Sequence, residues 1–311
     1  MTNYQKETNF QNKTKFQKEK QKKRMRTFYK MHALGNDYIY FNCLSKSVIH
    51  PSALAVRLCD RRRSIGGDGV ILIEKSDVAD AKMRIFNADG SEAEFCGNGV
   101  RCVGKFLHDI KLLQKTSFSV ETGAGIVRLQ LKLNENNLTQ SVTVQTGAPQ
   151  FSPEKIPVFL PPDQSGKIVA RPVRIGEKKL KITCVSMGNP HCVTFDTLSP
   201  RDFETLAGQI ETAAMFPKRT NVEFVTVNAR NDFSVRVHER GSGETFACGT
   251  GACAVAAAAI ENGLADLDAE ITVRMKGGVL TVKITSDATY LTGEACFSYA
   301  GRIQTEETTE R

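Results

Sequence analysis

The chain has 311 residues, 41% of them hydrophobic and 24% charged, with a formal net charge of +8. That is enough for one large or two ordinary domains, and no apolar run approaches the length that spans a bilayer. The charge is local: residues 1–26 hold nine basic and two acidic side chains, whereas the remainder holds 33 and 32, so the body gives no sign of nucleic-acid binding.

The Lys/Gln/Asn-rich leader 1–26 reads as a disordered basic segment. Strands are predicted over Thr27 to Met31 and Tyr38 to Phe41, joined by a turn at Gly35-Asn36 that aims the Asn36 amide inward. Pro51 opens a helix to Cys59, as Pro suits a first helical position. The Asp60-Arg61-Arg62-Arg63 cluster reads as its solvated end. Gly66-Gly67-Asp68-Gly69 precedes a buried strand, Val70 to Ile73. It lacks the Gly-Lys-Ser/Thr or GxGxxG pattern of a nucleotide loop. A strand over Lys82 to Phe86 and a polar turn at Asn87 lead to Cys96-Gly97-Asn98-Gly99 and a helix-compatible run. Strands follow at Ser117 to Thr122, Ile126 to Leu133 and Ser141 to Gln145, and Pro149 to Pro162 reads as a link. Beyond it, strands at Lys181 to Val185 and His191 to Asp196 flank Met187-Gly188-Asn189-Pro190. Residues 202–214 read as helix, and Asn221 to Val227 and Phe233 to His238 as strands. After Cys248-Gly249-Thr250-Gly251 and an Ala-rich helix come strands near Ile271 to Arg274, Val279 to Ile284 and Tyr290 to Tyr299.

The chain contains itself twice. Cys-Gly-x-Gly recurs at an offset of 152 residues, and Gly35-Asn36 recurs as Gly188-Asn189 at 153. Arg84 to Asn87 matches Arg236 to Glu239, and Gly125 before one strand matches Gly278 before another. Four landmarks in one order at nearly constant offset argue for two similarly folded halves. Short strands with few helices indicate an α+β chain of two antiparallel domains, each holding a helix. The halves are predicted as residues 27–145 and 146–293.

Nine Cys, an odd number with no signal peptide, and no zinc-type spacing point to a reduced, cytoplasmic protein without a metal site. Seven of them read as small core residues. Cys96 and Cys248 differ, because each precedes a helix, where free N–H groups lower a thiol pKa and favour thiolate. Two such helix ends also bind a carboxylate. An amino acid held there has its α-carbon between two sulfurs. One thiolate removes the α-proton, and the opposite thiol returns a proton to the other face. The stereocentre inverts without metal or cofactor. The sulfurs must then differ in protonation, and His191 and Glu239 are the motif-borne groups placed to arrange this.

Taken together, these motifs resemble the diaminopimelate epimerase family. They stand here as His32 to Asp37, Phe86 to Ser91, Cys96 to Gly99, Ser186 to His191, Glu239 to Gly241 and Ala247 to Gly251. The resemblance covers about residues 28–303. It implies conversion of LL-2,6-diaminopimelate to the meso form without pyridoxal phosphate, for lysine and peptidoglycan synthesis. It implies Cys96 and Cys248 as the acid/base pair and His191 and Glu239 as modulators of thiol pKa. Substrate contacts are implied for Asn36, Gly69 (through its backbone), Asn87, Gly97, Asn98, Asn189, Asn221, Glu239, Arg240, Gly249 and Thr250. Arg240, a bidentate donor, holds the distal amino-acid end with several Asn. The implied fold is a pair of pseudo-symmetric domains, each a sheet wrapped around a central helix. The last strand, about 294–305, returns to the first domain, and Tyr299 falls at a homodimer interface. Two departures stand out: Gly69 replaces a frequent Gln, and Thr250 stands where some members carry Ser.

Three other readings compete. A racemase of the same fold for a one-headed amino acid leaves Asn87, Asn189, Asn221 and Arg240 unpaired. A basic protein acting on RNA or a membrane through residues 1–26 loses its role when the leader is deleted. Cys-dependent acyl transfer needs a His–Asp pair to orient a nucleophile, and neither thiol motif carries one.

Overall fold

The structure is a computed structural model that describes residues 22–307. Residues 1–21, most of the predicted leader, lie outside the described residues. The strand β1 (Lys22–Ala33) begins inside the stretch read as leader, so the boundary drawn at residue 26 falls within a strand. The alternation of Arg26, Phe28 and Lys30 facing inward continues the pattern of the strand body.

In the first half, β2 (Asn36–Asn42) runs parallel to β3 (Gly69–Glu74), and α1 (Pro51–Cys59) forms the crossover. β4 (Ala81–Asn87) runs parallel to β6 (Ser117–Thr122) across α2 (Gly97–Asp109). The second half repeats this. β11 (Pro190–Thr194) and β12 (Asn221–Ala229) are parallel around α3 (Pro200–Glu211), and β13 (Asp232–Glu239) and β15 (Glu270–Met275) are parallel around α4 (Gly249–Glu261). The fold class is α+β as expected, but these four parallel pairings make each sheet mixed rather than purely antiparallel. A helix between two strands requires a crossover, and a crossover returns the chain in the same direction.

The remaining pairings are antiparallel. β6, β7 (Gly125–Leu133) and β8 (Thr139–Gly147) form a meander, mirrored by β15, β16 (Gly278–Ile284) and β17 (Ala288–Gly293). β8 pairs with β17 and joins the two meanders. Residues 290–299, expected as one strand, break at Glu294-Ala295 into β17 and β18 (Cys296–Glu307). β18 pairs antiparallel with β1 along eleven positions. β9 (Arg171–Ile175), which pairs with β10 (Lys178–Ser186), was not expected from the sequence. The Pro-rich stretch read as a link, Pro149 to Pro162, is packed: its Ile156 and Val158 are buried beneath α3, as is Ile168 after it.

Each half holds two apolar cores. One surrounds the central helix, α2 or α4, and the other lies under the outer helix, α1 or α3. α4 is buried on all sides from Ala252 to Ala259, which an all-apolar helix requires. Its alanines let the sheet close tightly around it. The four described helices are too short or too polar to cross a membrane.

Candidate active site

Cys96 and Cys248 occupy equivalent positions. Each is the N-cap of its central helix, with extended backbone (φ −146° and −121°). Each sulfur accepts the backbone N–H three residues on, from Gly99 and Gly251, at 3.3 Å. A thiol thus fills the capping role usually taken by Ser, Thr, Asn or Asp. The chain needs glycine at 251: a side-chain carbon there would stand 2.9 Å from Glu223 Oε1.

The helix starts abut. A methyl group on Gly249 would lie 3.8 Å from the Gly97 Cα, with Leu291 packed against both glycines. Asn98 Nδ2 donates 3.3 Å to the carbonyl of Ala247, the residue before Cys248. A cavity beside this junction is lined by Phe95, Gly97, Met187, Gly249, Thr250 and Leu291.

Two polar networks run from the thiols. On the first side, the Cys96 thiol donates to Asn36 Oδ1 at 3.5 Å, which also accepts from Asn98 Nδ2 at 3.3 Å. Asn36 Nδ2 donates to Asp68 Oδ2 at 2.6 Å. Asp68 is tied to Arg61 at 2.7 Å, Arg61 to Asp37 at 2.6 Å, and Asp37 to Lys30 at 2.5 Å. Arg61 is exposed, as expected of a solvated helix end, and also bridges the Asp37 and Asp68 carboxylates. At the inner end, Arg101 Nη2 donates to Asn98 Oδ1 at 2.7 Å. The cation at one end and the carboxylate at the other fix which way both amides point.

On the second side, Cys248 Sγ lies 3.4 Å from the Thr250 hydroxyl, and Asn189 Nδ2 donates to that oxygen at 3.3 Å. Asn189 Oδ1 meets His191 Nε2 at 3.1 Å, and His191 Nδ1 meets Glu223 Oε1 at 2.7 Å. His191 and Glu223 are both wholly buried. Asn189 Oδ1 is an acceptor, so His191 Nε2 donates to it.

The other expected residues sit around this centre. Asn221 Nδ2 donates to the Pro190 carbonyl at 2.8 Å, and its Oδ1 accepts the Arg240 backbone N–H at 2.9 Å. The Arg240 guanidinium is exposed and donates to the Lys218 carbonyl at 3.2 Å. Glu239 accepts from Thr245 Oγ1 at 2.5 Å. Asn87 is the register partner of Gly69, and its amide donates to Ser91 Oγ at 3.0 Å rather than joining either thiol network. At Gly69 a side-chain carbon would stand 2.5 Å from the Phe86 carbonyl and 2.8 Å from the Tyr38 ring. The frequent Gln of the resembled family therefore has no room here. Tyr299 on β18 is about half exposed, edge-on to Phe28 with ring centroids 6.0 Å apart.

The thiol electrostatics depart from expectation. Burial pushes the Cys96 thiol up, more than the Gly99 N–H and Tyr38 phenol pull it down, and Glu239 pushes it further up. Burial pushes Cys248 well up, Glu239 and Glu223 add to this, and the Thr250 hydroxyl and Gly251 N–H oppose it. The helix starts alone were expected to favour thiolate. The loss of hydration outweighs their N–H donors.

Arg101, Glu223 and Tyr38 were missed in the sequence. A continuous apolar strand interrupted once, Val222-Glu223-Phe224-Val225, was the available signal for Glu223. Arg101 carried no such signal, since an arginine in a helix ordinarily faces water.

The family model for diaminopimelate epimerase matches residues 28–152 and 183–298. The chain belongs to the diaminopimelate epimerase family. It is 45% identical to the diaminopimelate epimerase of Agathobacter rectalis over 284 residues, covering 89% of this chain and 98% of that one. It is equally 45% identical to that of Acetivibrio thermocellus, covering 90% and 99%. Among solved structures, a hydroxyproline epimerase from Agrobacterium vitis with bound trans-4-OH-L-proline superposes with a TM-score of 0.66 at 16% identity, covering 91% of this chain and 94% of that one. A phenazine biosynthesis protein of Bacillus anthracis gives 0.63 at 19%, covering 90% and 99%. Both solved structures share this chain's fold at low sequence identity.

Proposed function

We propose that this chain converts LL-2,6-diaminopimelate to meso-2,6-diaminopimelate, without a cofactor, as a step toward lysine and peptidoglycan precursors. The observation that carries the reading is the pair of thiols capping two abutting helix starts in a duplicated fold. The substrate's α-carboxylate binds in front of Gly97-Asn98 and Gly249-Thr250, where N–H groups converge. Its α-carbon then lies between the sulfurs. One thiolate takes the α-proton and becomes a thiol. The opposite thiol delivers its proton to the other face and becomes the thiolate. The charge that develops on the carboxylate is met by both helix ends.

Glu239 and the His191–Glu223 pair set the proton affinity of the two sulfurs. Asn36, Gly69, Asn87, Asn189, Asn221 and Arg240 hold the substrate, with Arg240 on the distal carboxylate. That distal set favours a two-headed amino acid over a one-headed one. The division into halves at about residue 146 puts one thiol on each half, so the halves close on the substrate from two sides. Exposed Tyr299 and Phe297 on β18 support a homodimer through that strand. Nine free thiols suit a reducing cytoplasm.

The deciding experiment is turnover of LL-diaminopimelate in deuterium oxide. The expected product is meso-diaminopimelate carrying one solvent deuteron at the inverted α-carbon. Inversion with the original hydrogen retained, or no inversion at all, would contradict the proposal.

A further inference from the structure

Arg101 stands on the second turn of α2, and none of its side chain meets solvent. A guanidinium stays charged at any pH a protein tolerates, and burying one without a counter-ion is costly. Among the described residues no carboxylate pairs with it. Its donors go to uncharged oxygens: Asn98 Oδ1 at 2.7 Å, the Gly97 carbonyl at 3.4 Å and the Glu294 carbonyl at 3.5 Å. The titratable groups that face it are Tyr40 of β2, Cys96 and Cys102 of the α2 region, and Cys253 of α4. Burial pushes Cys102 and Cys253 up to about 12 and Tyr40 well up, so these three stay neutral. Cys96, which burial also pushes up, is the neighbour in that set whose sulfur caps a helix start and accepts a backbone N–H, from Gly99 at 3.3 Å.

The position of the cation is as unusual as its burial. Nη1 would be 4.0 Å from a side-chain carbon on Gly249, so the guanidinium lies between the starts of α2 and α4. A cation beside two helix N-termini opposes both dipoles. The arrangement is repulsive until an anion occupies the space in front of the helices.

We infer that Arg101 is a positioning residue of this site, a buried cation that readies both helix starts for a thiolate at Cys96 and for the substrate carboxylate, and that turns the Asn98 amide toward Asn36 and Ala247. The inference rests on the reading of Cys96 and Cys248 as the acid/base pair. Cys96 is also faced by Tyr38 of β2 and by Glu239 of β13.

The test is the pH profile of iodoacetamide alkylation at Cys96, followed by peptide mass spectrometry, in Arg101→Met, Arg101→Lys and the unaltered chain, with kcat and KM measured alongside. In R101M the profile moves up by about one pH unit, so alkylation near pH 8 slows about tenfold. kcat falls, and KM for diaminopimelate rises. R101K keeps the charge and moves the profile by less than half as much. If R101M does not fold, Arg101→Gln, neutral but able to donate to Asn98, takes its place with the same expectation. A neutral variant whose profile superimposes on that of the unaltered chain overturns the inference even if its activity is low, because that is the result of a merely structural role. Alkylation of Cys96 that leaves epimerisation intact overturns the acid/base reading, and this inference with it.

Discussion

Asn98 of α2 donates its side-chain amide to the carbonyl of Ala247, the residue that precedes Cys248. One thiol's helix therefore holds the other thiol's approach, and the two halves are tied together at the point where the chemistry is proposed.

Cys96→Ala and Cys248→Ala should each lower epimerase turnover by about a thousandfold or more, the scale of a lost general acid or base. Both should keep melting temperatures within a few degrees of the parent, because a helix N-cap changed to Ala costs roughly 1 kcal/mol. A coupled assay for meso-diaminopimelate checks this, and near-normal turnover in either variant would remove that residue from the scheme.

Both thiols are held above the ordinary thiol range by burial, with Glu239 adding to it. A group that must be thiolate but favours its proton works better as pH rises. kcat/KM should therefore climb between pH 7 and about 9. Glu239→Gln removes a negative charge near both sulfurs, so alkylation of Cys96 and Cys248 should begin at lower pH. A shift to higher pH in that variant would mean that Glu239 acts in another way.

His191 and Glu223 are hydrogen-bonded toward Cys248 through Asn189 and Thr250, and the Glu223 carboxylate also acts on the thiol directly. Glu223→Gln should lower kcat/KM about tenfold, and Thr250→Ala should do the same in smaller measure. If the four residues act as one relay, the double variant loses less than the sum, with a coupling of at least about 0.5 kcal/mol. Additive losses would mean that the two act separately.

Gly69→Ala places a carbon 2.5 Å from the Phe86 carbonyl and 2.8 Å from the Tyr38 ring. Both are packed, so the strand must shift, at a cost of about 1–3 kcal/mol. Urea unfolding should show an earlier midpoint with an unchanged slope. An unchanged midpoint would mean that β3 and β4 are looser than their packing indicates.

The duplicated halves were legible because Cys-Gly-x-Gly and Gly-Asn each recur at nearly one offset, and a repeat survives ignorance of every contact. The capping thiols were legible because glycine follows each one and an apolar run follows that. The parallel pairings were not, since alternation along β2 or β12 reports which face is buried and nothing about direction. The charge at Arg101 was hidden for a related reason: helical spacing puts it on a face, but only tertiary packing says that the face meets α4. The thiol shift was misjudged because proximity to a helix start is written in the sequence, whereas the depth of burial is a property of the closed fold.

β1 runs beside β18 along eleven positions, so the first described strand is completed by the last described one. During synthesis the amino-terminal lobe must wait, with one edge open, until almost the whole chain has left the ribosome. An open edge of that length is an invitation to pair with a neighbouring nascent chain. Loss of even a short carboxy-terminal piece should accordingly harm the lobe that was translated first, so reporters or affinity tags placed at that end belong beyond Glu307 rather than in place of the strand.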